Sequence, residues 1–304
     1  MGNNSTDNNF RKDPNLLVKP GSRVNLGEFN TKYTAHFKDK EDASEMLAKD
    51  IQRLSELQDM LYAMNTYSLL VVIQAMDAAG KDGTIKHVMT GVNPQGCNVT
   101  SFKQPSVEEL EHDFLWRINK EMPKRGMIAI FNRSHYEEVL VTRVHPEYIL
   151  GQNIPGIDSL DKIDKKFWKK RFDIINDFEM QASEAGTVII KFFLHVSKEE
   201  QKKRFLARIE EPEKNWKFSA GDVKERQNWD KYMKAFEDAI ENTSTEYAPW
   251  YIIPADRKWF MRAAVGDIIV GTLEKLNLGY PKISEKEKQE LQGAKALLLN
   301  EDNN

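Results

Sequence analysis

Apolar positions along the chain follow two different rhythms. Between Glu41 and Met64, Leu47, Ile51, Leu54, Leu57, Leu61 and Met64 recur every three or four residues, which predicts an amphipathic helix. Four later runs are short, continuous and rich in β-branched residues: Ser68 to Gln74, Gly126 to Phe131, Thr187 to Leu194 and Trp250 to Ile253. Runs of this kind predict strands buried on both faces of a parallel sheet. Cys97 to Phe102 is a fifth, weaker strand. Between them, Ser106 with Glu109 and Ser197 with Glu200 read as capping boxes, and Gly186 ends a helix that begins near Asp161. Strand and helix alternate without an internal repeat. The expectation is an α/β fold with ligands at the carboxyl ends of its strands.

The two ends of the chain differ from this middle. Residues 1–37 are polar and lack sustained periodicity, so they read as an arm, and residues 291–304 read as a tail. Residues 38–290 then form one catalytic domain. The 304 residues are 40% hydrophobic and 30% charged, which excludes collagen-like and disordered classes. One cysteine, Cys97, rules out an internal disulfide, and the first residues lack the apolar stretch of a signal peptide. A cytoplasmic protein is expected. The longest unbroken apolar stretch of the first half, Leu69 to Ile73, is far short of the about 20 residues of a membrane span, so no membrane partner is expected. A net charge of -3 argues against nucleic acid as a partner. A basic run, Lys162 to Arg171, stands open between a solvated helix face and an anion contact.

The strand at Leu69 to Ile73 leads straight into Ala75-Met-Asp-Ala-Ala-Gly-Lys-Asp-Gly83, and a helical pattern follows. A strand, a loop of small residues and a helix start make a phosphate-binding loop. Backbone amides around Ala78, Ala79, Gly80, Asp82 and Gly83 can approach phosphate oxygens, Lys81 can reach the terminal phosphates, and Lys86 follows on the helix. By position it is a Walker A loop, with two departures. Ala75 stands where the first Gly belongs, and Asp82 replaces the metal-binding hydroxyl. Asp77 inside the loop repels phosphate unless a divalent cation lies between them, so Asp77 is read as a Mg²⁺ ligand, with Asp82 as a second candidate.

The strand ending at Phe131 continues as Asn132-Arg-Ser-His-Tyr-Glu-Glu138. Ordinary P-loop enzymes direct their metal with an acid at the place of Asn132. Glu137 and Glu138 are the nearest replacements, and Arg133 offers bidentate geometry to phosphate. A plain Arg133–Glu137 ion pair at the helix start is the alternative. His135 is a further candidate to line the site. Around residues 198–222, Arg204 and Arg208 fall on one helical face before a polar turn and a second helix start, the layout of a lid closing on phosphates.

Met76-Asp-Ala-Ala-Gly-Lys-Asp-Gly83, Gly91-Val-Asn-Pro-Gln-Gly96, Phe131-Asn-Arg-Ser-His-Tyr-Glu137 and Asn215-Trp-Lys-Phe218 together resemble the family 2 polyphosphate kinases, over about Leu17 to Tyr280. The family's usual strand-end motif is Asp-Arg-Ser-Trp-Tyr-Asn. Asn132, His135 and Glu137 are similar to its class III members, which phosphorylate both AMP and ADP. The resemblance implies a P-loop kinase-like three-layer sandwich, a central parallel sheet of about five strands and a helical lid. It also implies Mg²⁺ dependence, inorganic polyphosphate as donor, and AMP and ADP as acceptors giving ADP and ATP. The missing hydroxyl after Lys81 and the missing acid at Asn132 assign the metal to Asp77 and Glu137, and a homo-oligomer is expected. By the same resemblance Asp77, Lys81, Arg133 and Glu137 are catalytic, and Arg204 and Arg208 belong to the lid. Asn93 and Arg117, with Asn132 and Arg133, are the candidates for the nucleotide. An ATP-dependent nucleoside monophosphate kinase and a non-catalytic polyanion-binding protein are the competing readings. Asp82 and Asn132 count against the first, and the set Asp77, Lys81 and Glu137 counts against the second.

Overall fold

The computed structural model describes residues 10–301. Six strands, β1 (Leu17–Val18), β2 (Ser68–Ala75), β3 (Cys97–Ser101), β4 (Ile128–Asn132), β5 (Thr187–His195) and β6 (Trp250–Pro254), form one sheet in the order β1-β6-β5-β2-β4-β3. The last five run parallel and match the five runs expected from the pattern. Central β2 lays Val71 opposite Ile130 of β4 and Ile190 of β5, and Leu69 to Val72 are fully enclosed. That burial on both faces is why its sequence is continuously apolar.

The helices are α1 (Lys40–Met64), α2 (Lys81–Val88), α3 (Val107–Leu110), α4 (Trp116–Lys120), α5 (Glu137–Val144), α6 (Glu147–Leu150), α7 (Lys165–Glu184), α8 (Lys198–Glu210), α9 (Ala220–Glu225), α10 (Trp229–Thr243), α11 (Lys258–Glu274) and α12 (Glu285–Glu301). α1 and α2 pack against α11 on one face of the sheet, while α10 packs against α5 and α7 on the other, which completes three layers. Asp39 caps α1 by accepting from Asp42 N at 3.0 Å, and the helix ends at Asn65 in the left-handed region (φ 50°). Its buried stripe is Leu54, Leu57 and Leu61. α11 approaches α1 through Gly266, where an added Cβ would lie 3.2 Å from Leu47.

The segment expected as an arm is integrated from Phe10 onward; residues 1–9 lie outside the described residues. Leu17 pairs antiparallel with Tyr251, adding β1 as a sixth, edge strand. Phe10, Leu16, Val18, Val24, Leu26 and Phe37 are buried, and Phe10 sets its ring edge-on to Phe260 at 5.6 Å. These anchors are spaced irregularly, so no period reveals them. At the other end the expected tail begins within the exposed helix α12, and residues 302–304 lie outside the described residues. No helix among the described residues is long and apolar enough to cross a membrane. The basic residues of the Lys162 to Arg171 run are mostly solvated: Lys162 pairs with Asp158 and Lys169 with Asp173, and of these basic residues only Arg171 is buried, over the ring of Phe114.

Candidate active site

β2 and β4 are neighbours, so their carboxyl ends bring Asp77 and Arg133 together: Arg133 Nη2 donates to Asp77 Oδ1 at 2.9 Å. Both turns are tightly bent, with Ala78 (φ 62°) and Arg133 (φ 64°) in the left-handed region that side chains other than glycine rarely occupy. Gly80 (φ 117°) starts α2, where an added Cβ would come 3.1 Å from Met261. Lys81 folds back over the loop and donates to Ala75 O at 3.0 Å. Burial pulls its ammonium pKa below the ordinary lysine value, against the attraction of Asp77, Glu137 and Asp82.

Glu137 opens α5 directly behind Arg133. Burial raises its pKa, with Arg133 and Lys81 opposing. Asp77 adds a like-charge push; Asp77 lines the cleft above the loop, whereas Glu137 is not among the residues that line it. Below them His135 and Tyr136 are locked into the body. Tyr136 Oη donates to Glu179 at 2.8 Å, His135 contacts the same carboxylate at 3.2 Å, and Lys191 reaches both Tyr136 and Thr243 O. All five of these residues are buried.

A cleft of about 740 Å³ opens over the loop. Lys81, Arg133 and Arg208 line it together with Lys103, Lys258 and Arg262. Burial, Arg204 and Arg262 lower the pKa of Lys258, and burial and Arg204 lower that of Arg262. Cations that depress one another in a cleft are relieved by a bound polyanion. Two carboxylates, loop amides and a wall of cations can hold phosphates and a divalent ion.

A family model described as polyphosphate kinase 2 matches residues 37–279. The chain belongs to the polyphosphate kinase 2 family. An ADP-polyphosphate phosphotransferase of Rhodopseudomonas palustris is 49% identical over 288 residues, covering 95% of this chain and 99% of that protein. An AMP/ADP-polyphosphate phosphotransferase of Meiothermus ruber is 46% identical over 266 residues, covering 87% and 94%. The crystal structure of polyphosphate kinase 2 from Arthrobacter aurescens TC1 superposes with a TM-score of 0.80 at 40% identity, covering 91% of this chain and 98% of that one.

In this polyphosphate kinase 2 chain, several residues singled out from the sequence fall in the cleft and others do not. Asp77, Ala78, Gly80, Lys81, Asp82, Gly83, Lys86, Asn132, Arg133, Arg204 and Arg208 line it, while Ala79 is buried beneath the loop. Arg133 pairs with Asp77, so the plain Arg133–Glu137 ion pair is replaced by a pair across two strands. Arg204 lines the cleft and also braces the loop: its guanidinium donates to Ala78 O, Ala79 O, Ala255 O, Asp256 O and, from Nε, to Glu200. All five N–H groups have a partner, so the side chain clamps the loop carbonyls. Arg208 also lines the cleft, lying 3.6 Å from Asp222 and donating to Lys217 O at 3.3 Å.

Asn93 does not line the cleft; its side chain caps the turn Pro94–Gly96 by accepting from Gln95 N. Arg117 is buried and donates to Lys103 O at 2.8 Å, which positions a cleft residue without entering the cleft. His135 faces Glu179 and does not line the cleft either. Lys258 and Arg262 were missed by sequence reasoning. Their signal was position: they sit four apart on the helix that follows the carboxyl end of β6, where open sheets bind ligands.

Proposed function

We propose that this protein transfers phosphoryl groups from inorganic polyphosphate to AMP and to ADP, giving ADP and ATP. The observation that carries the reading is the cleft itself. A phosphate loop with Asp77, Lys81 and Arg133 opens into a cleft of about 740 Å³ whose wall carries the cations Lys103, Arg208, Lys258 and Arg262. The printed names of the Rhodopseudomonas and Meiothermus relatives support the same donor and acceptors.

The acceptor phosphate is already ionised near neutral pH, so no strong general base is required and charge neutralisation is the main task. Lys81 and Arg133 would hold the transferred phosphoryl group, each such contact being worth about 3 kcal/mol to the transition state. Arg208 would add positive charge when the lid closes.

Asp77 and Glu137 suit a divalent cation, Mg²⁺ in this proposal. Among the described residues no three His, Cys, Asp or Glu side chains gather as a metal cage. A pair of carboxylates completed by substrate oxygens is the usual setting for Mg²⁺. Bound there, Mg²⁺ would screen donor and acceptor phosphates from one another. The test is a donor exchange: purified protein with Mg²⁺ and AMP, given either polyphosphate or ATP. ADP formed with polyphosphate and not with ATP supports the reading, and ADP formed only from ATP overturns it in favour of a nucleoside monophosphate kinase.

A further inference from the structure

A peptide plane points its carbonyl and the next residue's amide in opposite directions, so holding one aims the other. The phosphate loop is held this way from behind. Gln201, on α8, donates from Nε2 to Asp77 O at 2.9 Å, and Arg204, one turn on, takes Ala78 O and Ala79 O. The amides sharing peptide planes with Asp77 O and Ala79 O are those of Ala78 and Gly80. Neither has a backbone acceptor, and both residues line the cleft.

Gln201 is 1% exposed, and its other end is also committed: Oε1 accepts from Arg226 Nη1 at 2.6 Å. Arg226 begins the turn Arg226–Asn228, through which the chain returns from the lid to α10. The preceding Glu225 is fixed too, by His145 Nε2 at 2.9 Å and Tyr232 Oη at 2.7 Å. One buried amide therefore joins a phosphate-loop carbonyl to the anchored return end of the lid.

We propose that Gln201 is a positioning residue that aims the Ala78 amide into the cleft and, through Arg226, ties the shape of the phosphate loop to the lid. The inference rests on the phosphoryl-transfer reading above. A neutral amide suits this place because it donates to a carbonyl and accepts from a guanidinium at once, which neither a carboxylate nor an ammonium can do. Ala78 holds a left-handed backbone (φ 62°), so a freed Asp77 carbonyl would let the peptide relax and turn the amide away.

The experiment compares wild type, Gln201→Met, Arg226→Met and the double variant, with AMP, Mg²⁺ and polyphosphate. Gln201→Met is expected to raise KM for polyphosphate and lower kcat, for a loss of about a hundredfold in kcat/KM, as misplacement of a reacting group by about 1 Å does. KM for AMP should change little. Arg226→Met should shift the same parameters less, and the double variant should lose no more than Gln201→Met, because the two act through one path. Hydrogen exchange across residues 76–83 should quicken in both single variants. Unchanged KM and kcat in Gln201→Met, or fully additive losses, would overturn the proposal. If Gln201→Met does not fold, an Arg226→Met variant with wild-type KM for polyphosphate and wild-type exchange overturns it equally. Wild type without polyphosphate-driven activity would sink the functional reading instead, and the exchange data would still decide whether Gln201 and Arg226 hold the loop.

Discussion

Asn132 donates from Nδ2 to Asp82 Oδ1 at 2.7 Å, so two of the positions where this chain departs from the ordinary P-loop pattern are partners. One replaces the hydroxyl after the lysine, the other the acid at the strand end. An amide facing a carboxylate is attractive, whereas restoring the acid alone would set two carboxylates against each other. Asn132→Asp alone is expected to lower kcat/KM for ADP about tenfold, and Asp82→Ser alone by less. The double variant should recover most of the loss, since the serine hydroxyl can donate to the new carboxylate. Steady-state kinetics on the four proteins check this, and additive losses would contradict the pairing.

Lys81→Ala tests the loop. The side chain donates to a loop carbonyl and lines the cleft. Turnover should fall by about a hundredfold to a thousandfold, while the far-UV circular dichroism spectrum stays unchanged. A variant with near-normal turnover would remove the lysine from the chemistry.

Arg204 and Arg208 share a helical face but should separate in their effects. Arg204→Gln leaves carbonyls of Ala78, Ala79 and Ala255 without their donor and is expected to cost about 2 kcal/mol of stability. Arg208→Gln removes a half-buried cation from the cleft wall and should lower turnover with little change in Tm. Thermal melts set beside activity assays decide between them, and equal effects on Tm would contradict the division.

This division shows what a linear pattern can and cannot carry. The five parallel strands were legible because strands buried on both faces must be continuously apolar, and the phosphate loop was legible because its chemistry lies in consecutive residues. Spacing put Arg204 and Arg208 on one face, yet it could not say which carbonyls either would meet. That depends on the turn after β6, some 51 residues on from Arg204. Asn93 and Arg117 share this limit: each has a local partner that no spacing rule ranks above a nucleotide. Strand β1 was hidden because two residues cannot show a period.

A pH effect on stability follows from the contact between α1 and α11. Burial, Asp267 and Glu274 push Asp50 up to about 7, and burial pushes Asp267 to about 6. Asp50 Oδ2 is buried without a hydrogen-bond partner. The folded state therefore keeps protons that the unfolded chain has lost above its ordinary carboxylate range, and stability falls as pH rises from about 4 to about 7. Tm should drop between about pH 5.5 and about pH 8, and Asp50→Asn should flatten that slope and raise Tm at the higher pH. Parallel slopes in the two proteins would place the effect elsewhere.

Stepwise phosphorylation of a nucleotide by polyphosphate in one cation-lined cleft fixes the order in which products appear. A time course with AMP as the sole nucleotide, polyphosphate as donor and Mg²⁺ present tests it most directly, with nucleotides separated by chromatography. ADP should appear first and ATP after a lag, and added ADP should slow the consumption of AMP by competing for the same site. ADP that accumulates without any ATP, and is not consumed when supplied alone, would contradict the account.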